Sequence, residues 1–470
     1  MPKYLFYKKN VVIFSVVVIA NIIAVWTVFY FLSEQLEKKY NADIIIENAT
    51  ILTLNKKSEI IENGWIAIKN GVIIGLGAGN HNYVPKETID AKAKIVMPGL
   101  INTHSHVAMT LLRGIDSNSK LPEWLNSINH YESELTENDV YWGALLGEIE
   151  MIKSGTTTFN DMYFFEKSVA KSVKNTGIRG IIDAPLFLKK ENEMEIDQKF
   201  INDNNNFSTV KISLAPNPLI NFSKNELETI SKKAIENNLV IHIHIEEDSN
   251  EKNKFINKYG LTPLEFIFST GLVKNKIIMA HGINFTDDEL EFLSKFPNIG
   301  ISFNPKSNFK LSGSAAPILK MMDHELNIGI GTDGAASSNS LDMFDQMNFI
   351  AFAVGKCDNE QSYCENKNNI YPEKIVRMAT TEGAKVLGME KEIGSLEIGK
   401  EADVILVDFG QTGHIPSYNI YSSLVYNTDG GDVSDSIIDG KIIMRNRELL
   451  NIDEKKAIDR VNDISKKIKN

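Results

Sequence analysis

The chain has 470 residues, 43% of them hydrophobic and 24% charged, and a formal net charge of −11. This length carries a substantial core, with room for one large domain beside a smaller one. The acidic residues are spread along the chain and no lysine or arginine cluster is interleaved with aromatics, which excludes nucleic acid as a partner.

The first predicted element is apolar. After the basic segment 1–10, residues 11–32 read "VVIFSVVVIANIIAVWTVFYFL", without a charge and with Asn21 as the strongly polar interruption. A run of that length predicts a transmembrane helix anchoring the chain in a lipid bilayer. The "SEQLEKKYNAD" that follows offers no small-residue cleavage site, so the anchor is expected to stay. Lys3, Lys8 and Lys9 precede the span, while Lys38 and Lys39 follow it among Glu34 and Glu37. That bias predicts a single-pass membrane protein with a cytoplasmic N-terminus and its main body on the outer, periplasmic or extracellular side.

From Ala42 onward the pattern changes. "ADIIIENATILTL" and "GWIAIKNGVIIGLG" read as strands, with Asn70-Gly71 as a hairpin turn. "GSLEIGKEADVILVDF" and "VSDSIIDGKIIMRNREL", near the other end, read the same way. A small β-sandwich domain assembled from 42–97 and 394–450 is the expectation, with a C-terminal helix over 451–470. Between the two flanks, residues 98–393 repeat a short apolar strand followed by a helical pattern. Seven such strands are "TTTFNDM", "IRGIIDAPL", "VKISLAPN", "LVIHIHIE", "KIIMAHG", "NIGISFN" and "NIGIGTDG", and the strand ending at His104 makes the eighth. Near-continuous apolar strands alternating with helices predict a parallel sheet closed into a (β/α)8 TIM barrel. Cys357 and Cys364 lie in a polar stretch and suit a small disulfide loop or two free thiols.

In such a barrel the reactive residues stand at the C-terminal ends of the strands. The chain has nine histidines, and four of them fall there: His104 and His106 after the first strand, His244 after the fifth, His281 after the sixth. Asp333 closes the eighth in "IGIGTDG". Residues i and i+2 of a strand share a side, so His104 and His106 can reach one ion that His244 and Asp333 approach from other strands. Three imidazoles and a carboxylate with an open position suit one divalent ion, catalytic zinc first, with iron, manganese or nickel compatible with the same set. His242 shares the His244 face one pleat deeper and reads as a packed or supporting histidine. Glu247, three residues past His244, is the natural proton carrier, whereas Glu246 reads as a solvated loop carboxylate.

Together these residues resemble the amidohydrolase superfamily, and within it the methylthioadenosine and S-adenosylhomocysteine deaminases. "PGLINTHSHVAMTLLRG", "LPEWL", "SGTTTFNDMYFF", "HIHIEE", "AHG", "NPKSNFKLSGSAAP" and "GTDGAASSNSLDMF" occur in that branch's order between about Ala42 and Leu450. The resemblance implies that His104, His106, His244 and Asp333 bind the metal, and that Glu247, His281 and Asp333 are catalytic. It also places Glu132 where the family holds ribose hydroxyls, and puts Trp124 of "LPEWL" and Asn217 at substrate-binding positions. Homocysteine-binding members carry arginines in and after the third strand's loop and a histidine after the fourth. Ala184 and Asn217 stand at two of these places, with Lys189 and Lys190 as the nearby cations. A substrate carboxylate would lack its bidentate partners, so methylthioadenosine, adenosine or another amino-heterocycle fits better than S-adenosylhomocysteine.

The expected reaction is hydrolytic deamination by hydroxide generated at the metal. Asp333 accepts the water's proton, His281 orients or relays it, and Glu247 protonates the ring nitrogen and assists the departure of ammonia. Lys211 begins the fourth strand rather than ending it, so a single metal is expected. Two other readings are hydrolysis of a cyclic amide or of a triazine-like C–N or C–Cl bond, and a membrane-tethered binding protein on an inactive barrel. The partner is a small heterocyclic substrate, and a homo-oligomer is compatible with the sequence.

Overall fold

The computed structural model describes residues 18–28, 39–188, 194–204, 206–354 and 370–468. Its central sheet has eight parallel strands, and their isoleucine-rich runs are buried on both faces. They are β1 (Leu100–His106), β2 (Thr156–Asp161), β3 (Arg179–Asp183), β4 (Val210–Leu214), β5 (Val240–Ile245), β6 (Ile277–His281), β7 (Ile299–Phe303) and β8 (Asn327–Ile330, resuming as Asp333–Gly334). Each pairs in parallel with the next in sequence. The first part of β8 pairs with β7, up to Phe303 and Ile330. Its second part turns to β1, setting Asp333 opposite Ser105 and Gly334 opposite His106. The seam that returns the sheet to β1 is therefore two residues long and carries Asp333 itself. Asn102 supports it, accepting from the Thr332 backbone N–H at 3.0 Å and donating to the Thr332 hydroxyl at 2.7 Å. The fold is TIM-barrel-like, with helices between the strands.

The flanking strands make one continuous nine-stranded sheet rather than two separate ones. Lys94–Pro98, from the N-terminal flank, pairs antiparallel with Val404–Asp408, from the C-terminal flank, with Met97 opposite Ile405. Ile44, Ile46, Ile51, Ile66, Val404 and Leu406 form its buried core. One buried cation ties this sheet to the barrel. Arg179, at the start of β3 and fully buried, donates to both oxygens of Asp403 at 2.9 and 3.0 Å and to the Ser208 carbonyl at 2.7 Å, and also pairs with Glu401. The helix Glu454–Ile468 packs Ala457 against Leu145 and Ile149 of the helix Glu137–Lys153.

The N-terminal expectation is corrected. Of the span 11–32, the described residues are 18–28, a helix with exposed side chains. Among the described residues no helix is long and apolar enough to cross a membrane. An uncharged run reports composition, whereas crossing needs about 20 residues in one continuous helix. The transmembrane helix, the lipid bilayer as partner and the outer-side location are therefore not supported. The rest of that span, Cys357, Cys364, Lys189 and Lys190 lie outside the described residues.

Candidate active site

The C-terminal ends of β1, β3, β5, β6 and β8 open into a cavity of about 660 Å³. His104 and His106 leave β1 on one side, as residues two apart on a strand must. Asp333 Oδ1 stands 3.4 Å from His104 Nε2 and 3.2 Å from His106 Nε2. His244 Nε2 lies 3.3 Å from His106 Nε2. The opposite ring nitrogens are occupied: His106 Nδ1 donates to the Met162 carbonyl, and His244 Nδ1 donates to Asn217 Oδ1 at 3.1 Å. His104 Nδ1 faces the Nε2 of the fully buried His242 at 2.8 Å, so His242 supports a neighbour and does not reach the cavity. Commitment of the Nδ1 protons turns Nε2 lone pairs inward.

Those lone pairs need a cation. His104 Nε2 is buried and has no hydrogen-bond partner among the described residues, and two imidazole nitrogens 3.3 Å apart cannot both carry a proton. Three nitrogens and one carboxylate oxygen with this convergence fit a zinc-like divalent ion. Electrostatics agrees for His104 and His244, whereas His106 must give up a proton to bind the ion. Burial pulls His104 down to about 3 and His244 well below the usual imidazole value, leaving both neutral, as ligands must be. Burial also opposes a charge on His106, but Asp333 beside it outweighs burial and lifts it to about 9. Burial pushes Asp333 up in turn, and His104 and His106 more than reverse this, holding it well below the carboxylate range.

Glu247 and His281, expected from the sequence to handle protons, stand beside this cluster. Oxygen or nitrogen atoms of Glu247, His281 and Asp333 lie within 4.8 Å of one another, with Glu247 Oε1 3.7 Å from His281 Nε2. His281 Nδ1 donates to Asn308 Oδ1 at 2.9 Å, which leaves Nε2 free to accept. Burial pushes Glu247 up, against the pull of His281. His281, Asp333 and Glu246 have φ of 77°, 59° and 54°. Such backbone costs on the order of 1–3 kcal/mol per residue and occurs where side chains must be aimed. At Gly331, two residues before Asp333, a Cβ would overlap the Asn304 side chain, so the turn that aims Asp333 admits glycine alone.

Glu246 departs from expectation. It is fully buried rather than solvated, because the turn at positive φ folds it inward while Asn284 donates to its carbonyl from both its backbone N–H at 3.1 Å and its side chain at 2.9 Å. Glu132, Trp124 and Asn217 all line the cavity. Glu132 accepts from the Tyr163 hydroxyl at 2.8 Å, and Asn217 is committed to His244. Lys211 pairs with Glu392 at 2.6 Å, away from the cavity.

Several contributors were not read from the sequence. Ser307 and Ser337 donate to Asp333 Oδ2 at 2.6 and 2.7 Å, leaving Oδ1 for the histidine side. Asn308 orients His281, and Tyr163 orients Glu132. All lie inside the recurrent motifs, and a signal existed in their position one loop away from a reactive residue. The partner of each was fixed only by the fold.

The chain is similar to several known proteins. The chain is 37% identical over 439 residues to a 5'-deoxyadenosine deaminase of Methanobrevibacter smithii, covering 90% of this chain and 99% of that one. It is 38% identical over 428 residues to a 5-methylthioadenosine/S-adenosylhomocysteine deaminase of Carboxydothermus hydrogenoformans, covering 88% and 95%. A crystal structure of an adenosine deaminase from Xanthomonas campestris with bound zinc superposes with a TM-score of 0.85 at 26% identity, covering 92% of this chain and all of that one. An atrazine chlorohydrolase of Arthrobacter aurescens, at 18% identity and a TM-score of 0.80 over 90% of this chain, shares the fold. A sequence model described as the amidohydrolase family matches residues 95–443, about three quarters of the chain, and the chain belongs to that family.

Proposed function

We propose that the protein is a zinc-dependent hydrolytic deaminase of adenosine-type nucleosides, replacing the ring amino group with oxygen and releasing ammonia. The observation that carries this reading is the convergence of His104, His106, His244 and Asp333 beside the Glu247 and His281 pair, in a cavity of nucleoside size. The deaminase names of relatives that span nearly the whole chain support it. When bound, the ion supplies a Lewis acid that makes water acidic enough to ionise near neutral pH.

The chain's own residues do the rest. Asp333, fixed through Oδ2 by two serines, takes the proton from the attacking water. His281, with Nδ1 spent on Asn308, accepts or relays that proton at Nε2. Glu247, whose affinity for a proton burial raises against the pull of His281, gives a proton to the ring nitrogen that gains charge. The second proton goes to the departing amino group, so water and nucleoside become hydroxylated purine and ammonia. Glu132 holds the ribose, while Trp124 covers the cavity with a side chain only 4% exposed. Ala184 and Asn217 offer no guanidinium or imidazolium for a homocysteine carboxylate, so methylthio-, deoxy- and unmodified adenosines are preferred over S-adenosylhomocysteine.

The test is ammonia release by the zinc-loaded full chain with adenosine, 5'-deoxyadenosine, methylthioadenosine, S-adenosylhomocysteine and guanine. Turnover of the adenosines is expected. Zinc bound at one per chain with no turnover of any adenosine would sink the proposal.

A further inference from the structure

The segment after β7 touches all three residues to which proton transfers are assigned above. Ser307 donates to Asp333 Oδ2, and Asn308 Oδ1 accepts from His281 Nδ1. A third contact crosses to the loop after β5, where the Ser312 hydroxyl donates to the Glu247 backbone carbonyl at 3.2 Å.

The shape of the segment explains how so short a stretch reaches all three. Pro305–Ser307 is a single α-helical turn, and Asn308–Ser312 widens into a π turn that Gly313 closes at φ 75°. The hydrogen-bond repeat of a π turn is i→i+5, which brings residues five apart round to one side. Along an α-helix Ser307 and Ser312 would instead face about 140° apart. Single π turns are rare and are frequent at functional sites. This one is anchored as well. Lys310 donates to the Ala336 carbonyl at 3.1 Å and to Asn339 Oδ1 at 2.6 Å, in the loop from which Ser337 also holds Asp333 Oδ2.

At its other end, Ser312 meets a backbone that needs holding. Glu246, one residue before Glu247, has φ 54°, a conformation that persists only where the surroundings fix it. Side chains grip the Glu247 backbone on both sides: its N–H donates to Glu251 Oε2 at 3.2 Å, and its carbonyl accepts from Ser312.

We infer that Ser312 is a positioning residue for Glu247, and that the π turn after β7 holds Glu247, His281 and Asp333 in one mutual register. This rests on the deaminase reading above and names the element that sets its proton-transfer geometry.

The test is the kinetics of the zinc-loaded full chain on methylthioadenosine. Ser312→Ala is expected to lower kcat by about 3- to 10-fold, the equivalent of one net hydrogen bond. KM, and zinc affinity in a chelator competition, stay within about twofold, since neither substrate nor ion touches the serine. Ser312→Thr, which keeps the hydroxyl, retains the wild-type kcat. In a Glu247→Gln background Ser312→Ala has no further effect, because the group it positions no longer transfers a proton. Ser312→Gly also lacks the hydroxyl and replaces the alanine variant should that one fail to fold. An unchanged kcat in Ser312→Ala overturns the inference, as does an equal loss in Ser312→Thr, a fall in zinc affinity that parallels kcat, or an undiminished effect in the Glu247→Gln background. No turnover of methylthioadenosine by the wild-type protein with zinc bound overturns the deaminase reading instead, and this inference with it.

Discussion

Asn217 Oδ1 accepts from His244 Nδ1 at 3.1 Å, which makes a residue expected to face substrate an orienter of a metal-site histidine. Partners of this kind fix the ring and its tautomer, and their loss lowers metal affinity by about 10- to 100-fold. Asn217→Ala is expected to weaken zinc binding by that factor in a chelator competition, with turnover restored at saturating zinc. A raised KM with unchanged zinc affinity would return Asn217 to substrate binding alone.

Glu246 sets a pH dependence of stability. Burial raises its carboxyl from the ordinary 4.5 to about 8, with Lys252 3.7 Å away as a partial offset. The unfolded chain releases this proton above about 4.5 while the folded chain keeps it until about 8, so the native state binds more protons across that window. Stability contributed at this position is therefore full below pH 4.5 and declines as pH rises to about 8. Urea unfolding of the wild-type protein and Glu246→Gln at several pH values tests this, the variant being expected to show a flatter decline. Parallel curves for the two proteins would remove Glu246 as the source.

These two residues also show what was legible in the sequence. His104, His106, His244, His281 and Asp333 could be read because strand ends and i, i+2 spacing place side chains without knowledge of their partners. Asn217, Ser307 and Ser337 could not, since each acts through an atom contributed by another strand or loop. Glu246 was misread because a polar residue after a strand is normally solvated, and the positive φ that turns it inward has no sequence signal here. The split of β8 was equally hidden: "IGIGTDG" reads as one strand, yet Gly331 and Thr332 break it so that Asp333 can pair with Ser105.

Arg179 ties the barrel to the flanking sheet through a bidentate pair with Asp403. It is fully buried, and its removal leaves Asp403 as a buried acid without its bidentate partner. Breaking one side of such a pair costs on the order of 3–5 kcal/mol. Arg179→Ala is expected to lower unfolding free energy by about that amount, and Asp403→Asn in the same chain to recover part of it. A loss below about 1 kcal/mol would mean the site hydrates on truncation.

Tyr163 is the residue through which ribose recognition can be tested without touching the reacting atoms. Its hydroxyl donates to Glu132 at 2.8 Å, and burial, reinforced by Glu132, raises the phenol well above its usual value, so it remains a donor at any working pH. Burial also raises Glu132, and the tyrosine bond is what opposes this. Tyr163→Phe keeps the ring that sits 6.4 Å from His106 and removes only the donor. A hydrogen bond to a charged group contributes about 1.5–3 kcal/mol, so KM for adenosine-type substrates is expected to rise by about 10- to 100-fold while kcat stays within about threefold. A fall in kcat at unchanged KM would instead place Tyr163 beside the reacting atoms, through its contact with His106, and leave Glu132 without a role in binding the sugar.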